Sequence, residues 1–349
     1  MANHKLIVSP APHLNSGLTV SKIMWFASLA LLPATAGGVY FFGTRVITII
    51  GVSILSAILT ETIILWLRKK PVVISDGSAF LTGLLLALNL PQDIPLWLPV
   101  LGSAFAIGIV KQTFGGLGHN IFNPALGGRV FLLLSYSKYM TTGWGTPKDG
   151  TISIDGITSA TPLTVFSNAN RLILDPNTAE NIKATASQHI HDLYSPDSLF
   201  ELFSGNVGGC IGETSALLLI MGAAFLIAKG IITWHIPVTF LGSLAIFTWF
   251  LWIPGAGEPF QGNVLFHLLS GGAILGAFFM ATDMVTSPIT RKGKIIFGTG
   301  CGFFTAAIRI YADYPEGVSF AILLMNATTP MIDRLIKPRK YGIHSLRSL

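Results

Sequence analysis

Residues 45–67 read RVITIIGVSILSAILTETIILWL, a run of 23 residues in which Arg45 and Glu61 carry the only charges. About 20 residues of apolar α-helix cross the ~30 Å hydrocarbon core of a bilayer. A run of this length and composition therefore predicts a membrane-spanning helix. Because similar runs recur along the chain, the prediction extends to the whole protein.

The composition of the chain agrees with this prediction. Of 349 residues, 51% are apolar and 11% are charged, and the mean hydropathy is +0.64. Soluble domains carry about 25% charged residues, so this chain has too few charges to coat a soluble surface. Its glycines and prolines show neither the period of collagen nor the polarity of a disordered chain. We therefore expect an all-α integral membrane protein.

Ten apolar runs are candidates for membrane spans. The third and fifth are short and flanked by glycine, proline and asparagine, which is typical of a broken or re-entrant helix that lines a cavity. The ten runs cover residues 22–43, 45–67, 78–89, 96–117, 123–136, 212–230, 232–253, 263–282, 295–311 and 318–336.

The basic residues predict the orientation of these spans. With the N-terminus in the cytoplasm and ten crossings, 14 of the 22 lysines and arginines lie inside and five lie outside. The positive-inside rule favours this arrangement, with both termini cytoplasmic. A competing interpretation takes residues 23–32 as a signal-peptide core and 34–36 as its cleavage site. Cleavage there leaves the topology one span short. The net charge of +6 reflects these short clusters, and no nucleic-acid partner is expected.

The two halves of the chain share a weak pattern. A span that ends in polar residues (83–91 and 276–288) precedes a glycine-rich span, a polar turn (114–123 and 311–317) and a last apolar run. Five spans per half would give the halves opposite orientations, as in inverted-repeat transporters. The shared glycine and leucine content of membrane helices is an alternative explanation. We predict domains at 1–140, 141–205, 206–336 and 337–349: first repeat with its N-terminal segment, external loop, second repeat and basic cytoplasmic tail.

The external loop, residues 141–205, holds seven of the 16 acidic residues. A hydrophilic segment of this length in a compact membrane protein usually has a function. Within it, residues 155–164 read DGITSATPLT. From the residues alone, a Ser/Thr-rich turn that begins at Asp155-Gly156 explains this stretch as well as a functional site does.

This stretch resembles the flavin-attachment motif of one family of membrane proteins, whose members are the D subunits of Rnf complexes and the B subunits of sodium-pumping NADH:quinone oxidoreductases. The first span starts near residue 22 without a long extension, which favours the Rnf branch. The motif GETS (212–215) also occurs in the B subunits, so that branch remains the alternative. The resemblance covers nearly the whole chain. It includes the motifs SAFLTGLLLA (78–87), KQTFGGLG (111–118), NIFNPA (120–125), WHIP (234–237), LLSGG (268–272), PEGVSFA (315–321) and PRKYG (338–342).

The resemblance implies a cofactor and its attachment site. In the family, the threonine that ends the motif carries FMN through a phosphoester bond, which implies FMN on Thr161. Asp155, Ser159 and Ala160 are the motif residues around it. A separate flavin transferase performs the attachment, so no catalytic residue is expected in this chain. The family also holds a second, noncovalent flavin such as riboflavin, whose contacts the sequence does not indicate.

The resemblance also implies a function. The chain would be an inner-membrane component of an oxidoreductase that relays electrons between NADH and ferredoxin, or another low-potential acceptor, while Na⁺ or H⁺ crosses the membrane. Other membrane and soluble subunits and the bilayer would be its partners. The sequence itself agrees with a relay: no G-x-G-x-x-G opens a helix after a strand. Gly298, Gly300 and Gly302 lie in an apolar span and are expected to permit helix packing.

Acidic residues inside the bilayer are candidates for an ion pathway. Glu61, Asp283 and Asp333 qualify. Asp283 lies among several oxygen donors where a span ends, which suits a hard cation, although a helix cap explains it equally well. Structural ion pairs with Arg68 and Arg334 are the alternatives for Glu61 and Asp333.

The remaining polar residues in the spans are given no role or a structural one. Arg309 needs an anion or a carbonyl partner, whereas Lys111 and Arg129 are expected to reach an interface. Neither cysteine lies in a CxxC motif, and no cluster of histidine, cysteine and acids predicts a metal site.

Two functional classes compete with the flavin-bearing relay. A non-redox transporter or channel would share the predicted architecture, and a structural anchor would share the loop but leave it unmodified. Covalent flavin at Thr161 separates the relay from both.

Overall fold

The computed structural model describes residues 18–142, 144, 161–213, 215–250, 263–312 and 316–337. Every regular element within these ranges is helical. The helices are α1 (Val20–Ala30), α2 (Leu32–Phe42), α3 (Arg45–Leu67), α4 (Ser78–Leu88), α5 (Trp97–Phe105), α6 (Pro124–Ser135), α7 (Ser137–Thr141), α8 (Pro162–Leu174), α9 (Glu180–Leu193), α10 (Pro196–Ser204), α11 (Ala216–Ala228), α12 (His235–Phe250), α13 (Val264–Leu269), α14 (Ala273–Leu275), α15 (Arg291–Tyr311) and α16 (Val318–Leu335).

Among the described residues, two helical stretches are long and apolar enough to cross a membrane by themselves: Val20–Phe42 and Arg45–Leu67. The first contains a turn at Leu31, where Pro33 begins α2. On α3, Leu55, Leu59 and Ile63 share one face and are 62%, 58% and 55% exposed. An exposed apolar face of this kind fits a lipid-facing surface, as the sequence predicts for a membrane protein.

The shorter apolar helices lie where the other spans were predicted. The third and fifth runs form the continuous helices α4 and α6. The eighth run is the broken one, because α13 stops at Leu269 and α14 starts after Gly271 and Gly272, both with positive φ. Two π-helical segments, Ala106–Gln112 after α5 and Gly276–Met280 after α14, interrupt the α-helical pattern. Such segments are frequent at functional sites.

The helices pack around one apolar core. Helix α3 lies against α4 and α5, and α12 lies against α15, which also contacts α16. Gly298 of α15 faces the backbone of α12, where an added Cβ would lie 2.8 Å from the Ile236 carbonyl oxygen. Gly302 meets the same helix at Phe240, and Gly300 meets Met325 of α16. The prediction that these glycines permit close helix packing is confirmed.

The segment predicted as an external loop contains helices where the structure describes it. Helices α8, α9 and α10 enclose a small core of their own, formed by Leu163, Phe166, Ile190 and Leu202. Phe266 of α13 belongs to the same core. Helix α10 also contacts α13 and α11, so the outer helices are anchored to the broken helix.

Candidate functional site

Thr161 is the N-cap residue of α8. Its hydroxyl accepts a hydrogen bond from the Thr164 amide at 3.3 Å and lies 2.9 Å from the Thr164 hydroxyl. Pro162 occupies the first turn of the helix, where a missing N–H costs nothing. Amide groups at a helix N-terminus and the positive end of the helix dipole favour an anion. The local sequence therefore places a hydroxyl nucleophile where a phosphoryl group would be stabilised.

Thr161 borders a narrow cavity with about 360 Å³ of empty space, part of it open to the surroundings. Gly271 lines the facing side with φ +59°, and an added Cβ there would collide with Leu163. The cavity is thus shaped by close backbone approach at the break in the eighth run. Two acidic residues, Glu213 and Glu316, complete the wall opposite Thr161.

Arg129 of α6 is the centre of the charge network behind this cavity. Its guanidinium donates to Glu213 at 3.3 Å and forms an ion pair with Glu316. It also donates to Asn89 Oδ1 at 2.9 Å and to Ser319 Oγ at 3.1 Å. Arg129 is 3% exposed. The expectation that it reaches a membrane interface is therefore wrong, because buried carboxylates neutralise its charge in the interior.

Arg309 of α15 fastens the break between α13 and α14. It donates to the carbonyl oxygens of His267, Ser270 at 2.9 Å and Gly271 at 3.0 Å, and its Nε donates to the Glu316 carbonyl at 3.4 Å. The end of α13 frees carbonyl groups that have no helical partner. Of the two kinds of partner expected for Arg309, the structure shows the carbonyl groups.

Cys210 joins the same network. Its sulfur accepts from Arg129 at 3.4 Å, and the ligand atoms of Cys210, Glu213 and Glu316 lie within 4.8 Å of one another. Cys210 and Glu213 are three positions apart, whereas Glu316 comes from a distant part of the chain. The sequence therefore gave no signal for the convergence of all three residues. A guanidinium already lies among these atoms, which disfavours a metal ion there.

The outer helices pack against this region through aromatic side chains. The Phe166 ring lies 5.3 Å from the His267 ring and 6.3 Å from the Tyr194 ring, centroid to centroid. Burial raises the pKa of Tyr194 well above its usual range. Tyr194 is therefore neutral at physiological pH and acts as a packing group.

Asp283 lies in a turn, and the next helix, α15, begins at Arg291 with Thr290 as its N-cap residue, so the helix-cap interpretation of Asp283 is wrong. One carboxylate oxygen accepts from the Val285 amide and the other from the Thr286 hydroxyl, both at 3.2 Å. It also borders a second cavity with about 860 Å³ of empty space, whose other polar lining includes Lys111 and Asn123. The structure thus places Asp283 at a cavity, as an ion pathway requires, while its hydrogen bonds are local.

Glu61 pairs with a residue that the sequence did not suggest. Lys111 Nζ lies 2.8 Å from its Oε1, and Gln112 Nε2 donates to it at 2.8 Å. The proposed partner Arg68 instead donates to the Gln112 carbonyl at 2.7 Å. Lys111 is 1% exposed, so its expected position at an interface is wrong. The π-helical segment aims it across the core at α3.

Asp333 lies away from both cavities. Its carboxylate accepts from the Ile289 amide at 3.2 Å, which connects α16 to the segment before α15. This contact gives Asp333 a structural role. The motif residues Asp155, Ser159 and Ala160 lie outside the described residues.

Apolar helices that enclose buried ion pairs define the class: a helical membrane protein with a charged interior. The chain belongs to the NQR2, RnfD, RnfE family, whose model matches residues 7–342. The predicted family is therefore confirmed.

Relatives match this chain almost from end to end. The D subunit of the proton-translocating ferredoxin:NAD(+) oxidoreductase complex of Clostridium ljungdahlii is 44% identical over 96% of both chains. The D subunit of the Na(+)-translocating ferredoxin:NAD(+) oxidoreductase complex of Acetobacterium woodii is 43% identical over 98% of this chain and 97% of its own. The D subunit of the ion-translocating oxidoreductase complex of Stutzerimonas stutzeri is 43% identical over 93% and 92%.

Proposed function

We propose that this chain is a membrane component of an ion-translocating oxidoreductase complex and relays electrons through FMN attached to Thr161. The observation that carries the proposal is the Thr161 hydroxyl, which caps α8 at the edge of a cavity. The full-length similarity to D subunits of ferredoxin:NAD(+) oxidoreductase complexes supports the rest. The chain would act within the complex and not as an enzyme alone.

The residues around Thr161 fit a phosphate-linked flavin. The hydroxyl oxygen would take the phosphoryl group, and the N-terminal amides of α8 would face its charge. The attached FMN would accept and release electrons. A separate flavin transferase would make the bond, so Thr161 needs no general base beside it.

The second flavin of this proposal is riboflavin, which binds without a covalent bond. The cavity beside Asp283 is the candidate site, because a mainly apolar lining with a few polar groups suits an isoalloxazine ring. Its polar residues Lys111, Asn120 and Thr82 supply hydrogen-bonding groups.

The proposed architecture is two inverted repeats of five spans in the inner membrane, with both termini cytoplasmic and the Thr161 segment outside. Similar neighbours support it: the second helix of each half, α3 or α12, packs on the third and fourth elements of that half. The last helices of the halves, α6 and α16, also contact each other. Other subunits of the complex would cover part of the exposed apolar surface.

For ion translocation we propose Asp283 as the leading residue, since it borders a cavity between the halves. Glu61 is a second candidate as a buried carboxylate paired with Lys111, and Asp333 is the third, with a structural contact to the Ile289 amide. The named relatives translocate different ions, one protons and one sodium. The coupling ion therefore needs direct measurement, with ²²Na⁺ uptake compared against pH change in vesicles.

A gel experiment tests the flavin proposal. The full chain is produced with a flavin transferase, denatured, and viewed under ultraviolet light. Wild type and Thr164→Ala should fluoresce, whereas Thr161→Ala should be dark. Thr161→Asn is the matched control, because asparagine keeps the helix cap but has no hydroxyl. A fluorescent Thr161→Asn band would overturn the attachment site. A dark wild type beside an active transferase would favour a non-redox transporter or an unmodified anchor.

A further inference from the structure

The carboxylates of Glu213 and Glu316 face the cavity that Thr161 borders, and one guanidinium bridges both. Arg129 contacts Glu213 at 3.3 Å and pairs with Glu316. The side chain of Glu213 is 5% exposed and that of Glu316 is 20% exposed. Two carboxylates therefore share one positive partner where water screens charge poorly. Such a pair has a spare site for a proton.

The other charged and titratable groups near the cavity are engaged in other contacts or, like His267, do not line it. Arg309 from α15 uses its guanidinium on backbone carbonyls. The Cys210 thiol lies between Arg129 at 3.4 Å and Glu316 at 4.0 Å, and a neutral thiol takes up no further proton. His267 from α13 is completely buried against Phe166 and Phe266. Among the described groups, the two glutamates both line the cavity and carry carboxylates that can bind a proton.

We propose that Glu213 and Glu316, held by Arg129, are the proton-exchanging group of the Thr161 cavity. An electron delivered by the donor of the complex would add one negative charge to a flavin held at Thr161. One proton from water then binds a carboxylate oxygen of the pair, so the charge of the cavity is unchanged. The donor is oxidised by one electron, and on reoxidation of the flavin the proton returns to water. This inference rests on the proposed flavin at Thr161.

The geometry gives Arg129 a positioning role in this exchange. When one glutamate is protonated, the guanidinium keeps its ion pair with the other and its bonds to Asn89 and Ser319. The network therefore loses one ionic contact without leaving the arginine unpaired, which would cost far more in a buried site. The shared partner makes the proton uptake reversible.

Redox-induced infrared difference spectroscopy on the purified complex tests the proposal. On reduction, the wild type should show a new band of a protonated carboxylic acid that shifts in D₂O and again on ¹³C-glutamate labelling. The band should be lost in Glu213→Gln or in Glu316→Gln. It should persist in Glu180→Gln, whose side chain is 94% exposed in the outer segment.

The outcomes separate this inference from the proposed function. A flavinylated wild type without the band, or with a band that ignores glutamate labelling, overturns the proton exchange and leaves the flavin proposal standing. A band that survives in both glutamine variants also overturns it. A chain with no covalent flavin overturns both. Because the wild-type spectrum is decisive by itself, a variant that fails to fold does not remove the test.

Discussion

The ammonium group of Lys111 lies 2.8 Å from one carboxylate oxygen of Glu61 and 2.9 Å from the other. The two residues are 50 positions apart, on α3 and on the π-helical segment after α5. Lys111 also donates to Ser78 Oγ at 2.7 Å, so the contact joins three elements of the first half. Removal of one partner of such a buried ion pair strongly destabilises a protein, whereas replacement of both partners by apolar residues changes its stability little.

The single variant of this pair should be much less stable than the double variant. Lys111→Met leaves Glu61 as a buried unpaired charge and should lower the free energy of unfolding by about 3–5 kcal/mol. The double variant Glu61→Leu, Lys111→Met should recover most of that loss. Thermal unfolding of the detergent-solubilised protein measures both. Equal destabilisation by the single and double variants would show that the pair does not act as a unit.

Arg309 should tolerate no other cation. Lysine cannot reach the carbonyls of His267, Ser270 and Gly271 together with that of Glu316, so Arg309→Lys should lose about 1.5–3 kcal/mol for each charge-assisted bond removed. Arg45→Lys is the matched control. Arg45 is exposed and also donates to two carbonyls, at 3.3 and 3.4 Å, and its change should stay within about 0.5 kcal/mol. Similar unfolding temperatures for the two variants would contradict the clamp.

Replacement of glycine by alanine should lower stability where two helices pack closely and raise it where the helix surface is free. Gly298→Ala forces a Cβ against the α12 backbone and should cost about 1–3 kcal/mol. Gly51→Ala on α3 meets nothing within 4 Å and should stabilise its helix by up to about 1 kcal/mol. The difference between the two unfolding temperatures is the readout, and the reverse order would refute the α12–α15 contact.

Asp283→Asn discriminates the two roles of Asp283. Asparagine keeps an oxygen for the Val285 amide, so the turn survives the change with little loss of stability. A cation pathway needs the negative charge and should lose most ion uptake in proteoliposomes. Unaltered uptake at unaltered stability would leave Asp283 with the turn contact alone.

The membrane class and most helix positions followed from hydrophobic run length, because lipid demands internally bonded apolar helices. Single residues were harder. In the sequence, Arg129 and Lys111 were interpreted as interface residues. Nothing near them in the chain indicates that Glu61 pairs with Lys111. Nor does anything near them indicate that Glu213 and Glu316 pair with Arg129. Likewise, glycine and proline flanks suggested breaks in α4 and α6, while the break at Gly271 and Gly272 depends on the distant Arg309.

The outer segment shows both the strength and the limit of sequence patterns. The motif at 155–164 drew attention to Thr161, and the structure puts that residue at a helix cap beside a cavity. The charge network across the cavity had no sequence signal, because Glu213 and Glu316 are separated by 103 positions. Only the fold brings them to one wall.

Mass spectrometry of the peptide that contains Thr161 is the most direct test of the central claim. Protein isolated from its native complex is digested, and the modified peptide is fragmented to locate the added group. We predict the mass of one phosphoester-linked FMN, localised to Thr161 and not to Thr164. An unmodified Thr161 peptide from a complex with full electron-transfer activity would contradict the account.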